Sequence, residues 1–102
     1  MKISVIIPTL NEEKSLFKLL PYLFEIKLQF DIEIIIVDGV SDDNTREIAN
    51  QFPVIVLRST QRSRAIQMNL GAQNANGEIL YFLHADAIPP KTVFHDILKE
   101  VE

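Results

Sequence analysis

The sequence predicts a parallel α/β domain, an open sheet of about four strands with helices on both faces. Three observations lead there. Four short runs rich in β-branched residues alternate with stretches of helical spacing. The second run contains Ile34-Ile35-Ile36-Val37, continuously apolar as a central strand covered on both faces should be. Each run is followed by a polar or charged cluster, where ligands collect in open parallel sheets.

The expected strands are Ile3 to Ile7, Ile32 to Val37, Val54 to Leu57 and Glu78 to Leu83. Between the first two, from Glu12 to about Gln29, Leu16, Leu19, Leu20, Leu23 and Phe24 form one apolar stripe, and Pro21 should kink that helix. Asn44 to Gln51 predicts a short helix opening in an Asp/Asn/Thr cluster. Arg62 to Asn74 carries Ile66, Leu70 and Gln73 at helical spacing and should stop at Asn76-Gly77, a left-handed cap. Pro89-Pro90 opens a last helix with Val93, Phe94, Ile97, Leu98 and Val101 on one face. Strict β-α alternation implies parallel strands with right-handed crossovers. No internal repeat, linker or low-complexity stretch divides the chain, so residues 1–102 are expected to form a single domain.

A chain of 102 residues buries somewhat over roughly 60% of the surface its unfolded form exposes, enough for a core without staples. The hydrophobic fraction of 47% and charged fraction of 24% are those of a soluble globule. Absence of cysteine removes disulfides, a thiolate nucleophile and cysteine metal sites, and fits a cytoplasmic location. The net charge of -4 argues against nucleic acid as the main partner. No run approaches the roughly 20 apolar residues of a transmembrane span, and no secretory leader is visible.

The clusters after the strands carry the chemistry. After the first strand, Asn11 can cap the next helix while Glu12 and Glu13 suit its positive end; the other reading is a turn that holds a base or ribose. After the second, three aspartates within six residues exceed what one cap needs. Asp43 or Asn44 suffices for capping, which leaves Asp38 to accept hydrogen bonds from a base or sugar hydroxyl. After the third, Arg58, Arg62 and Arg64 form either a diphosphate clamp or a solvated basic loop, with Arg64 the best placed for phosphate. After the fourth, His84 and Asp86 alternate so that both side chains point one way. They read as a buried hydrogen-bonded pair or as ligands of a divalent cation completed by phosphate oxygens and water. His95, in the last helix, reads as exposed.

Taken together, Ile3-Ser4-Val5-Ile6-Ile7-Pro8-Thr9-Leu10-Asn11-Glu12-Glu13 and Ile36-Val37-Asp38-Gly39-Val40-Ser41-Asp42-Asp43-Asn44-Thr45 resemble the first two motifs of family-2 glycosyltransferases with the GT-A fold. Arg64 to Ala72 and Gly77 to Asp86 resemble a bacterial subgroup in which the usual Asp-x-Asp reads His84-Ala85-Asp86. The resemblance implies a Rossmann-like nucleotide-diphospho-sugar-binding domain with strand order 3-2-1-4. It implies Pro8, Thr9, Asn11 and Glu12 in the nucleotide pocket, Asp38 on the base, Arg64 near the base or diphosphate, and Asp86 on a Mn or Mg ion. His84 stands where the family has an aspartate, and Gly39 where many members have another.

The implied reaction is inverting transfer from a nucleotide-diphospho-sugar donor to an acceptor hydroxyl. In the family the base and acceptor segment lie downstream of the metal motif, and here the sequence ends at Glu102. No catalytic base is therefore expected within it. The chain alone should bind donor without completing transfer, as a piece truncated before the acceptor half or with a partner chain supplying it. Apolar surface left uncovered would favour a homodimer. A receiver-like or other non-catalytic nucleotide-binding domain is the alternative, but the lysine it needs after the last strand is offered only by Lys91 at a helix start. A nucleotidyltransferase would want a glycine-rich loop after the first strand, and Thr9-Leu10-Asn11 has no glycine.

Overall fold

The computed structural model describes residues 1–101. Its elements follow the expected alternation: β1 (Ile3–Thr9), α1 (Glu13–Lys27), β2 (Ile32–Asp38), α2 (Thr45–Ala49), β3 (Ile55–Arg58), α3 (Arg64–Gln73), β4 (Ile79–Phe82) and α4 (Val93–Val101). All strand pairs are parallel, in the order β3-β2-β1-β4. β1 and β2 run in register from Ile3 opposite Ile32 to Thr9 opposite Asp38, so their polar tips lie side by side.

Alternation along the strands sorts the sheet's two faces. Ile3, Val5 and Ile7 with Ile32, Ile34 and Ile36 point to the side of α1, α2 and α4 and form the larger core. There α1 buries Leu16, Leu19, Leu20, Leu23 and Ile26, each contributing at most about 1.5–3 kcal/mol. The helix runs on through Pro21, which sits on its exposed side, so the missing amide donor leaves no gap inside the core. Phe94 of α4 is fully buried and meets the Tyr81 ring edge-on at 5.6 Å. The Tyr22 hydroxyl donates to the Pro89 carbonyl at 2.5 Å, tying the loop after β4 to α1.

On the other face Ile6, Ile35 and Val37 pack with Leu57, Leu70 and Ala72 beneath α3. Gly71 permits that approach: a Cβ there would lie 2.5 Å from Ile6 Cγ2. α3 covers β1, β2 and β3. β4 is left open, and Leu80 and Phe82, paired with Ser4 and Ile6, are 41% and 44% exposed.

Several boundaries differ from the sequence reading. α3 ends at Gln73 with Asn74 at φ -102°, and no glycine among the described residues has positive φ, so Gly77 is not a left-handed cap. It is required for a close approach instead: a Cβ there would lie 2.6 Å from Ser4 Oγ and 2.7 Å from the Ser4 nitrogen. Pro89 and Pro90 precede α4 rather than open it, and the Val93 amide closes a turn onto the Pro90 carbonyl at 3.0 Å. β4 ends at Phe82, so His84 and Asp86 lie in the following turn, closed by the Ala87 amide on the His84 carbonyl at 3.1 Å. No helix among the described residues is long and apolar enough to cross a membrane.

Candidate functional site

The carboxyl ends of β1 and β2 are locked together by a network centred on Asp38. Its side chain is fully buried and Thr9 is 1% exposed. Thr9 Oγ1 donates to Asp38 Oδ1 at 2.9 Å, the Ser41 amide to Oδ2 at 2.8 Å, and the Ser41 hydroxyl to Oδ1 at 2.5 Å. Arg46 Nε stands 3.8 Å from Oδ2, inside ion-pair range, without a hydrogen-bond partner of its own. Carboxylates are costly to bury unless donors surround them, and here the donors come from the β1 tip and the turn between β2 and α2. A freely available Asp38 is therefore corrected: its carboxylate is consumed in holding the turn.

Asn11 is likewise not the cap of α1. It adopts a left-handed conformation at φ 55°, which asparagine tolerates, and its Oδ1 accepts from the Asp42 amide at 2.8 Å. The N-cap position of α1 is Glu12, which makes no side-chain cap. The second loop supplies the missing acceptors: Asn11 N donates to Ser41 Oγ at 2.9 Å, Glu12 N to Thr45 Oγ1 at 2.9 Å and Glu13 N to Asp43 Oδ2 at 3.4 Å. Asp43 also accepts from the Thr45 amide and hydroxyl. Burial works to raise its carboxyl, but these hydrogen bonds from Thr45 and Glu13 outweigh it and hold the group below its usual range. Thr9, Asn11, Glu12, Asp38, Ser41, Asp43 and Thr45 thus make one rigid ridge at the sheet's carboxyl edge.

A residue missed from the sequence lies beneath that ridge. Gln67 of α3 is 4% exposed, and its Nε2 donates to the carbonyls of Thr9 at 3.0 Å and Val37 at 2.8 Å. A Cβ on Gly39 would stand 2.8 Å from Gln67 Oε1, so the glycine makes room for the amide. Ser41 and Thr45 fall in the second motif but carry no role of their own until the two loops meet. Gln67 falls in the Arg64 to Ala72 stretch, yet a glutamine within a helical run reads as surface.

The three arginines do not converge. Arg62 donates to Asp42 Oδ2 at 2.8 Å and to the Val40 carbonyl at 3.1 Å, bracing the loop in which Val40 takes φ 66°. A left-handed valine is strained, and the Arg62 contact is one of the bonds holding it. Arg58 lines a separate hollow with Ser59, Thr60 and Asn69. Only Arg64 reaches the switch point between β1 and β4, where its Nη1 lies 2.8 Å from His84 Nδ1 and 3.2 Å from Nε2. Arg64, His84 and Pro8 line one small hollow there.

His84 and Asp86 are both exposed and do not form a buried pair. Asp86 lines a separate hollow of about 280 Å³ with Lys14, Ser15, Lys18 and Ile88, while His84 faces Arg64. Leaving the strand at Phe82 breaks the alternation that would have aligned them. Among the described residues no three His, Cys, Asp or Glu side chains come together as a metal cluster. His95 is exposed beside Asp96, as expected.

A four-stranded parallel sheet in the order β3-β2-β1-β4, with polar turns gathered over the β1–β4 switch point, is the Rossmann-like sheet of GT-A glycosyltransferases. The chain belongs to "Glycosyl transferase family 2", whose pattern it matches over residues 4–102. It is 30% identical over 107 residues to dolichol-phosphate mannosyltransferase of Pyrococcus furiosus, an alignment covering 100% of this chain and 30% of that protein. Its fold matches S. aureus TarS 1-349 in complex with UDP at a TM-score of 0.80 and 28% identity, covering 99% of this chain and 32% of that one. Mannosyltransferase PcManGT from Pyrobaculum calidifontis, in complex with GDP-Man and Mn2+, matches at 0.82 and 28% identity, covering 95% and 31%. The chain spans about a third of the length of these relatives.

Proposed function

We propose that the chain is the donor-binding part of a family-2 glycosyltransferase and holds a nucleotide-diphospho-sugar over the carboxyl ends of β1 and β4. One observation carries the reading: Pro8, Arg64 and His84 line one hollow at the β1–β4 switch point, Asp86 lines a separate one after β4, and the Thr9–Asn11–Asp38 ridge stands at the tips of β1 and β2. The UDP of the TarS complex and the GDP-Man and Mn2+ of the PcManGT complex support it. The exposed edge of the ridge, Asn11 and Glu12, faces the nucleoside, and Asp38 acts on the base pocket by fixing its shape. Arg64 takes the diphosphate.

A divalent cation, Mn or Mg, fits this donor set only in part. Asp86 is an exposed carboxylate able to ligate it, with phosphate oxygens and water completing the shell. His84 is turned to a guanidinium and is not a ligand in this arrangement. Bound there, the ion would neutralise charge developing on the leaving diphosphate. Inverting transfer to an acceptor hydroxyl, with its base outside these residues, is the reaction this donor site would serve. The chain alone would then bind donor without completing transfer. A segment or second copy covering Leu80 and Phe82, and a cytoplasmic location, belong to the same proposal.

Calorimetric titration of UDP and of GDP with saturating Mn2+ tests the reading. One of the two should bind, and Asp86→Ala should remove most of the affinity that Mn2+ adds. Failure of both nucleotides to bind, or a gain from Mn2+ that survives Asp86→Ala, would sink it.

A further inference from the structure

We infer that His84 is a positioning residue: it aims Arg64 at the donor's diphosphate and gives this site a component of anion binding that needs no metal. The inference rests on the donor-site reading and concerns the one position where the metal motif departs from two carboxylates. Arg64 Nη1 lies 2.8 Å from Nδ1 and 3.2 Å from Nε2 of the same ring, so the guanidinium packs against the face of the imidazole rather than along one nitrogen's lone pair. A ring face that carries no negative charge orients a guanidinium without neutralising it. An aspartate in the same place would pair bidentately with the arginine and cancel its charge.

The surroundings favour that use. Arg64 makes no ion pair among the described residues, where Arg62 is spent on Asp42 and Arg46 on Asp38. Arg64 and His84 share their hollow with Pro8, Met68, Phe82 and Leu83, so apolar groups flank the pair on the sheet side. A long exposed arginine samples many rotamers, and fixing it in advance spares the ligand that ordering cost. Asp86 lines a separate hollow with Lys14 and Lys18, so positive charge lies on both sides of the His84-Ala85-Asp86 turn. Arg64 on one side and Lys14 and Lys18 on the other are cationic side chains that can hold phosphate oxygens directly.

The test measures UDP and GDP binding by calorimetry, in EDTA and in Mn2+, for the unmodified chain, Arg64→Ala, His84→Ala, His84→Phe and His84→Asp. Both altered side chains are exposed, and thermal melts confirm that each variant folds. In EDTA the unmodified chain should bind the preferred nucleotide, and Arg64→Ala and His84→Ala should each weaken it by about tenfold, the order of one charge-assisted bond. His84→Phe, whose ring keeps a flat face for the Arg64 guanidinium, should recover most of that loss. His84→Asp should lose binding in EDTA and gain in its response to Mn2+. Equal EDTA affinities for the unmodified chain and His84→Ala, or no recovery in His84→Phe, would overturn the role of His84. Binding seen only with Mn2+ would overturn the metal-free component while leaving the donor-site reading intact. No binding under either condition would overturn both.

Discussion

Replacing Asp38 with alanine separates a carboxylate that builds the site from one that merely lines it. The substitution removes the acceptor for the Thr9 hydroxyl, the Ser41 amide and the Ser41 hydroxyl, and leaves Arg46 facing an empty space 3.8 Å away. Hydrogen bonds to a charged group contribute about 1.5–3 kcal/mol each, and they do not add fully when they share one acceptor. The Arg46 side chain is 32% exposed, so solvent screens its pairing and little is assigned to it. The expected cost is about 3–5 kcal/mol, the range for removing one partner of a buried charged contact. Set against a total of about 5–15 kcal/mol for a domain, that is a large fraction. At roughly 4–8 °C per kcal/mol for a chain of this size, the melting temperature should fall by at least about 12 °C.

Asp38→Asn should cost only about 1–2 kcal/mol, because the amide can turn its oxygen to the Ser41 amide and its NH2 to the two hydroxyls. Urea unfolding followed by far-ultraviolet circular dichroism measures both variants. An Asp38→Ala midpoint corresponding to a loss below about 0.5 kcal/mol, the level of an ordinary surface change, would refute a structural role for the carboxylate.

Two further outcomes follow from contacts away from the ligand. Burial works to raise the Glu33 carboxyl, yet hydrogen bonds from Ser4 and from the Asn76 backbone and side chain, with Lys2 nearby, hold it below its ordinary value of 4.5. A depressed carboxyl stabilises the fold fully above its unfolded value and loses that contribution as pH falls through the folded one. Glu33→Gln should therefore cost about 1 kcal/mol at neutral pH, and the gap should close below pH 4.5; urea midpoints between pH 7 and 3 that diverge instead would contradict it. Gly39→Ala should cost about 1–3 kcal/mol by overpacking, since its Cβ would stand 2.8 Å from Gln67 Oε1. Truncating the neighbour in Gln67→Ala should absorb most of that cost, and a double-mutant cycle whose two costs add within about 0.5 kcal/mol would show that the pair is not coupled.

The order of elements was legible because it depends on local patterns. Continuous apolar runs gave β1 and β2, and the stripe on α1 gave its buried face. Strand order followed from the resemblance of the motifs, and the structure agrees with it. What stayed hidden were pairings between loops distant in sequence. Asn11 reads as a cap because capping is the commonest use of an asparagine before a helix. Its actual partner, the Asp42 amide, is supplied only once β1 and β2 stand in register. Gly77 reads as a cap for the same reason, while its real constraint is Ser4 on the first strand. Arg64 reads as the best placed of the three for phosphate, but only the folded sheet shows Arg62 spent on Asp42 and Arg64 set beside His84. The aligned His84 and Asp86 depended on a strand lasting to Leu83, which ends at Phe82.

The two positions that depart from the family resemblance, Gly39 and His84, meet the same turn of α3. Gln67 fills the space that a side chain at 39 would occupy, and Arg64 is held by His84. Residues three apart share a helix face, so Arg64 and Gln67 form one edge of α3 that reaches from the β2 tip across to the turn after β4. The departures are thus linked through α3. A glycine at 39 lets Gln67 clamp the carbonyls of Thr9 and Val37 and seat the helix firmly on the strand ends. A firmly seated helix is what allows a flexible arginine one turn earlier to be aimed by a single imidazole. Restoring an aspartate at 39 alone would push Gln67 from its carbonyls, loosen that first turn and weaken the Arg64–His84 contact without touching either residue.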